Sequence, residues 1–543
     1  MAELSIVLIL LFAVVVSGVI GRMLPKAVPL PLVQIGLGAA IAAIADLGVS
    51  LEPELFFVLF LPPLLFLDGW RIQKEGLFRD IGTILNLALG LVVFTVLGIG
   101  VFIHWMIPSI PLPLAFALAA ILSPTDPVAV SAIAQRVNVP KRLMHILEGE
   151  SLLNDASGLV CMRFAVAAAM TGAFSVPSAA LTFLWLALAG VATGVAVCWG
   201  ITWCKDVVSS RYGEDTGSQI LISLLTPFVA YLVAEMIGAS GILAVVAAGL
   251  TMSYAEQSGK ALATTRIRRN AVWDMLQFAL NGVMFVILGE QLPSIIAKAA
   301  QVVQETGHHD PIWMLIYVVL ISLALAVLRF LWVWVSYRPL LFHRGQHENT
   351  NWRLIAVTSL AGARGAITLA GVLSLPLTMT DGSLLPGRDL LILIAAGVII
   401  VSLVMASVAL PLLLRNVTMP AEPLHQRQEH QVREAAAQAA ITAIGQAEHA
   451  MPVGQDDKDL YTHAANRIID FYRERIAGYT NKEDVDLAHY KRAQAVERHL
   501  WLIAMRAERE AIYQASRRNR LPDDVARNMV REVDLIEERL TQP

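Results

Sequence analysis

Asp155 is an acid inside an apolar stretch of the chain, residues 152–160, where it directly follows Asn154. An ionisable side chain at bilayer depth costs about 2.5–3.5 kcal/mol on insertion scales, so it persists mainly where it faces a wet cavity, a partner or an ion. On a helix Ser151 shares a face with Asp155, whereas Glu150 is rotated aside. This spacing predicts that Asp155 and Ser151 bind a small cation while Glu150 forms a structural ion pair. The alternative is that Asp155 too is neutralised by such a pair.

A second polar motif, Ser-Pro-Thr-Asp-Pro at 123–127, interrupts the apolar segment 114–133. Its prolines predict a broken helix, and free backbone groups at membrane depth are tolerated only where they line a cavity. Asp126, with Thr125, is interpreted either as a cap of the broken helix end or as a ligand that helps to hold the cation. The carbonyl oxygen of Thr125 is a suitable ligand for a hard cation.

Two further charged residues, Arg364 and Asp68, lie in or at the edge of apolar segments. Arg364 needs an acidic partner at this depth. We expect Glu150 to be that partner, with Arg329 as the competing arginine. Asp68 is either an acid at the edge of a loop or part of the entry route for cations.

The composition indicates a membrane protein. Hydrophobic residues make up 56% of the chain and charged residues 16%, against roughly 45–50% and 25% in soluble domains. Three cysteines in apolar segments suggest neither a disulfide framework nor a thiolate metal site, and a net charge of -3 gives no sign of nucleic-acid binding. Apolar runs of about 17–25 residues suit a bilayer. Thirteen such spans are predicted, at about 4–22, 28–46, 52–69, 80–107, 112–135, 143–172, 179–204, 217–237, 239–256, 271–292, 311–337, 353–378 and 387–415.

The basic residues predict the orientation of these spans. Short cytoplasmic loops retain Lys and Arg, and every second loop of this chain carries them, whereas the alternate loops hold only Lys298 and Arg388. We therefore expect a multi-pass protein of the plasma or inner membrane with its N-terminus outside and its C-terminus in the cytoplasm.

Glycines surround Arg364 in the twelfth span, seven spans after the broken fifth. Transporters place broken helices at corresponding positions of two inverted halves, and an odd offset inverts the second copy. The predicted fold is an all-α polytopic membrane protein with about thirteen transmembrane helices in inverted repeats, over residues 1–417. From 418 to 543 the chain turns polar with helical periodicity, for example at Val496, Leu500 and Ile503, which predicts a helical cytoplasmic domain or dimeric bundle.

In combination, these motifs resemble the monovalent cation/proton antiporters of the CPA1 type, which include bacterial sodium/proton antiporters and animal sodium/hydrogen exchangers. The resemblance rests on Leu-Pro-Pro-Leu-Leu-Phe-Leu-Asp-Gly at 61–69, Ser-Pro-Thr-Asp-Pro at 123–127, Glu-Gly-Glu-Ser-Leu-Leu-Asn-Asp at 148–155 and Arg-Gly-Ala at 364–366. It implies a homodimer in which two broken helices of each protomer cross inside a six-helix core, about 80–172 and 311–415, that packs beside a scaffold, about 1–70 and 179–292.

The resemblance also implies roles for individual residues. Asp155 is the exchanged carboxylate, and Glu150 pairs with an intramembrane arginine. The neighbours of Asp155 at the Na+ site are then Asn154, Ser151, Thr125, Asp126 and, with the weakest match, Asp68.

A partly desolvated carboxylate near neutral pH can hold a proton or a cation, but not both. We therefore expect a secondary active antiporter, not an enzyme, that exchanges Na+, or alternatively Li+ or K+, for H+ by alternating access without a cofactor. Because Asn154 is neutral, one proton for one sodium would be electroneutral. The alternative function is a cation channel or a pH or ion sensor on the same fold.

Overall fold

The protein is almost entirely helical in a computed structural model. The structure describes residues 2–24, 28–44, 53–126, 141–172, 176–256, 262–305, 312–342, 352–379, 385–414, 434–446, 462–473, 484–517, 525, 529–530 and 532–537.

Helices occupy all thirteen predicted spans, which confirms the predicted all-α polytopic class. Within the described residues, eight helices are long and apolar enough to cross a membrane, and the other spans hold shorter or broken helices. In chain order the helices of this region are α1 (Ala2–Met23), α2 (Leu30–Ile44), α3 (Pro53–Arg71), α4 (Lys74–Arg79), α5 (Ile81–Met106), α6 (Leu112–Leu122), α7 (Lys141–Thr171), α8 (Val176–Tyr212), α9 (Thr216–Met236), α10 (Gly241–Glu256), α11 (Ala263–Glu305), α12 (Ile312–Phe342), α13 (Trp352–Leu360), α14 (Ala366–Leu373) and α15 (Arg388–Leu414).

The sequence analysis did not predict two local features of this region. The short helix α4 joins α3 to α5 and is not a span. Within α5, Asn86–Leu91 is π-helical, a local widening that is rare and often found at functional sites.

Both predicted helix breaks are present. The helix α6 ends at Leu122, and residues 123–126 are non-helical, while Pro127 lies outside the described residues. The second break, residues 361–365, separates α13 from α14. Proline lacks the amide hydrogen that a helix needs, and glycine adds backbone freedom, so both motifs disfavour a continuous helix.

Two packing groups make up the membrane region. In one group α2 packs along α11, and α10 packs between α3 and α8. In the other, α5, α6 and α7 pack together, and α15 contacts α12, α13 and α14. Asp80, between α4 and α5, joins these helices to the first turn of α7. Its side chain accepts hydrogen bonds from Arg142 at 2.7 Å and from Arg79 at 3.3 Å.

The chain divides into two compact units, residues 1–418 and 419–543. The second unit contains helices at 434–446 and 462–473, named α16 and α17, and the long α18 (Asp484–Arg517). A small apolar core in this unit joins Met505 and Ile512 of α18 to Val530 and Val533. This face of α18 is opposite to the apolar stripe that is visible in the sequence at 496–507.

Candidate cation site

The two helix breaks lie directly against each other. The backbone amide of Asp126 donates a hydrogen bond to the carbonyl oxygen of Ala363 at 2.7 Å. A Cβ atom on Gly365 would overlap the Asp126 side chain, and a Cβ atom on Gly158 would overlap the ring of Pro124. Glycine is therefore required at both positions for the segments to approach this closely.

Asp126 lies beside the start of α14. Gly365 is the N-cap of α14 and has no side chain of its own to cap the helix. The Asp126 carboxylate touches Gly365, so its negative charge faces the positive end of the α14 dipole. This arrangement favours the helix-end interpretation of Asp126 over the ligand interpretation.

Glu150 forms a buried, two-pronged ion pair with Arg329. The guanidinium nitrogens of Arg329 lie 2.5 and 2.8 Å from the two carboxylate oxygens, and the two residues are 0% and 3% exposed. Arg329 also donates from Nε to the carbonyl oxygen of Thr358 at 3.0 Å. The expected Glu150–Arg364 pair is therefore wrong, and the competing arginine of α12 is the partner of Glu150.

Arg364 is held by backbone oxygens instead of a carboxylate. Its Nε donates to the carbonyl oxygen of Leu122 at 3.0 Å, and its Nη1 donates to that of Gly362 at 2.6 Å. Its backbone amide donates to Oγ of Ser402 at 3.0 Å. Leu122 ends α6 and Gly362 follows α13, so the guanidinium lies where the negative ends of two helix dipoles meet. This charge compensation is the physical reason that Arg364 does not need Glu150.

A hydrogen-bonded chain links the first break to the ion pair. Nδ2 of Asn154 donates to Oγ1 of Thr125 at 3.1 Å, and that hydroxyl lies 3.5 Å from Oε1 of Glu150. The other amide atom of Asn154, Oδ1, is buried and has no hydrogen-bond partner within the described part of the chain. The Thr125 hydroxyl is thus engaged with protein groups, and the Thr125 carbonyl stays the candidate cation ligand that the sequence analysis predicts.

Asp155 is 5% exposed and Ser151, on the same face of α7, is 8% exposed. Asp126 and Asp68 are close enough to Asp155 to repel its charge. Within the described ranges, no arginine, lysine or histidine forms an ion pair with Asp155. The structure therefore gives no support to a neutralising partner for this acid. In the same ranges, no three acidic, His or Cys side chains form a group that could hold a metal ion.

Two acids extend from Asp155 toward the end of α7 that is predicted to be cytoplasmic. Asp68 is solvent-exposed at the end of α3 and interacts electrostatically with Asp126 and with Glu148. Glu148, whose side chain is 39% exposed, lies seven residues before Asp155 and so shares its helix face. The sequence analysis did not single out Glu148, although it begins the Glu-Gly-Glu-Ser motif.

Comparisons with known proteins agree with this geometry. The family model described as "Sodium/hydrogen exchanger, transmembrane" matches residues 6–416. The chain is 40% identical over 546 residues to an uncharacterised Na+/H+ exchanger of Escherichia coli, covering 99% of this chain and 98% of that protein. It is 47% identical over 417 residues to a sodium, potassium, lithium and rubidium/H+ antiporter of Bacillus pumilus, a match to 75% of this chain and 60% of that antiporter.

A solved structure shares the fold. The structure of the sodium/proton antiporter MjNhaP1 from Methanocaldococcus jannaschii superposes with a TM-score of 0.58 at 17% identity. The superposition covers 77% of this chain and 99% of that structure.

Proposed function

Since the chain belongs to the sodium/hydrogen exchanger family, we propose that Asp155 is the carboxylate at which its cation and its proton compete. The protein is a multi-pass membrane antiporter that exchanges cations for protons, works without a cofactor and is not an enzyme. The observation that supports the role of Asp155 is its burial at the crossing of the two breaks without a cationic partner among the described residues.

The competition at Asp155 couples the two fluxes. A proton neutralises the carboxylate covalently and a cation neutralises it electrostatically, so each occupant excludes the other. An empty, charged carboxylate would have to cross a region of low dielectric, and the desolvation cost of a bare ion there amounts to several kcal/mol. The site therefore moves between the two faces of the membrane only when it is occupied.

The stoichiometry that we propose is one proton for one cation. Glu150 is held in its ion pair with Arg329, Asn154 cannot ionise, and Asp126 faces the start of α14, so we assign the exchanged proton to Asp155. In each cycle one proton crosses the membrane in one direction and one monovalent cation crosses in the other, so no net charge moves and the exchange is electroneutral.

We propose Na+ as the main cation, with Li+ and K+ as alternatives, because a relative that is 47% identical is named for sodium, potassium, lithium and rubidium. Ser151, the carbonyl of Thr125 and Asp68 are the groups proposed to surround the cation with Asp155, while Asp126 lies beside them against the start of α14. Alternating access would come from movement of the group that contains α7 past the group that contains α10, in a homodimer with its N-terminus outside and its tail in the cytoplasm.

The variant Asp155→Asn tests this assignment in proteoliposomes that contain a pH-sensitive dye. We expect sodium-dependent proton movement to fall to the level of empty vesicles, because an amide neither binds a proton nor neutralises a cation. Asp389→Asn is the matched control, since Asp389 is an exposed acid in the first turn of α15, and it should retain exchange.

Retained exchange in folded Asp155→Asn would show that another acid is the carrier. Exchange that changes with an imposed membrane voltage would contradict the one-to-one stoichiometry. A large sodium conductance without proton coupling would favour the alternative function of a cation channel.

A further inference from the structure

The long cytoplasmic helix α18 carries apolar side chains on two opposite faces. Met505 and Ile512 lie on the face that packs against Val530 and Val533. The opposite face carries the apolar seam, defined here as Val496, Leu500, Ile503 and Ala507. In the seam Val496 is 60% exposed, Leu500 59% and Ile503 50%, so the described part of the tail does not bury this surface.

The spacing of the apolar seam selects a helical partner. Its residues follow one another at intervals of four, three and four, which is the a/d pattern of a left-handed coiled coil. The pattern ends at the next seam position, where Glu510 accepts a hydrogen bond from Gln514 at 3.3 Å. An uncharged stripe of this kind is self-complementary, because the same residues can face each other across a two-fold axis.

The polar residues beside the seam disfavour a lipid surface as the partner. Helices that lie on anionic membranes carry a polar face rich in Lys and Arg. Here Arg506 is followed by the exposed acids Glu508 and Glu510, so the charges next to the seam are of mixed sign.

We propose that the apolar seam of α18 is a dimerisation surface that pairs with the same seam of a second copy of this chain. This inference rests on the homodimer proposed above. Two heptads are too short to hold an isolated coiled coil together in water. Two tails that are joined through the membrane region meet at an effective concentration of about a millimolar, and this tethering compensates for the short seam.

Cysteine cross-linking of the full chain tests the proposal. Cys161, Cys198 and Cys204 are replaced first, and Ile503→Cys is then compared with Arg498→Cys, an exposed position on the opposite side of α18. Under mild oxidation in vesicles that hold one dimer each, Ile503→Cys should give at least tenfold more covalent dimer than Arg498→Cys. Equal yields at both positions, or no covalent dimer with Ile503→Cys, would contradict the pairing of the two seams.

A second variant separates the seam from the membrane dimer. Leu500→Glu, added to Ile503→Cys, should reduce the cross-linking at least tenfold, because two carboxylates would face each other across the seam. Light scattering should still show a dimer, and sodium-dependent proton movement should persist. Cross-linking that persists in Leu500→Glu would contradict the pairing of the two seams, but not the homodimer. If light scattering shows that the unsubstituted protein is a monomer, both the homodimer and the pairing of the seams are contradicted. The loss of exchange in Asp155→Asn tests a different claim and does not depend on either.

Discussion

At the scale of single residues, the site separates charges that are fixed from a charge that is free. Glu150 and Arg329 neutralise each other in a buried pair, and Arg364 is stabilised by hydrogen bonds to backbone carbonyl oxygens. Asp155 has no such partner in the part of the chain that the structure describes. A carboxylate that is buried and unpaired is the group most readily neutralised by a proton or a metal ion, which is the basis for proposing Asp155 as the exchanged carboxylate.

The Glu150–Arg329 pair gives a stability prediction. Glu150→Gln or Arg329→Gln alone leaves a buried charge without compensation, which typically costs 3–5 kcal/mol. The double variant removes both charges, so its loss should be smaller than the sum of the two single losses. Melting temperatures of the four proteins in one detergent measure this coupling.

The exposed pair Arg163–Glu235 is the matched control for that measurement. Its atoms lie 3.4 Å apart, with side chains 54% and 35% exposed, and exposed pairs contribute only about 0.2–1 kcal/mol. Additive losses in the Glu150 and Arg329 series, or equal effects in the two series, would contradict a buried, coupled pair.

The sequence alone singles out the charged residues of the candidate site, but not all of their partners. Apolar context alone singles out Asp155, Glu150 and Arg364. Two arginines were available to Glu150, and the choice between them depends on how α12 packs beside α7. Nor does the sequence show that the carbonyls of two broken helices meet around Arg364, since that requires the three-dimensional crossing.

At the scale of elements, the crossing depends on residues without side chains. Gly365→Ala would drive a methyl group into the Asp126 side chain, and overpacking in a tight core typically costs 1–3 kcal/mol. We expect Gly365→Ala to lower the melting temperature and to impair proton movement in proteoliposomes, because the two breaks must separate to accommodate the methyl group.

Gly200→Ala is the control for Gly365→Ala. Gly200 lies within α8, and a Cβ atom there has no heavy atom within 4 Å, so alanine should be neutral or should stabilise the helix by up to about 1 kcal/mol. Equal melting temperatures and exchange rates in the two alanine variants would show that the crossing accommodates an added methyl group at Gly365, against the overlap seen in the structure.

The positions of the elements were more predictable than their details. Long apolar runs and Pro/Gly motifs gave thirteen spans and both breaks because bilayer thickness and backbone chemistry act locally. The π-helical turn at Asn86–Leu91 and the short α4 were missed. Neither carries a distinct residue pattern in the sequence.

At the scale of the whole molecule, the two units have separate cores. The family match ends at residue 416, close to the boundary between the units at 418, and all residues of the candidate site precede it. A chain that ends after residue 418 should therefore retain sodium-dependent proton movement, with a rate within a fewfold of the full chain. The proteoliposome dye assay measures this rate.

The truncated chain carrying Asp155→Asn is the negative control. A truncated protein that is folded but inactive would show that the tail is required for the exchange cycle.

The ion pairs of Asp80 with Arg142 and Arg79 resist acid. Burial alone would raise the pKa of Asp80, but the hydrogen bonds and positive charges of Arg142 and Arg79 outweigh it and hold the pKa below its ordinary value of 3.8. The carboxylate contributes its stability above that value and loses it only as the pH falls further. A fall of one or two pH units from neutrality therefore leaves the ion pairs of Asp80 intact, so α5 and α7 stay joined at this point in mild acid.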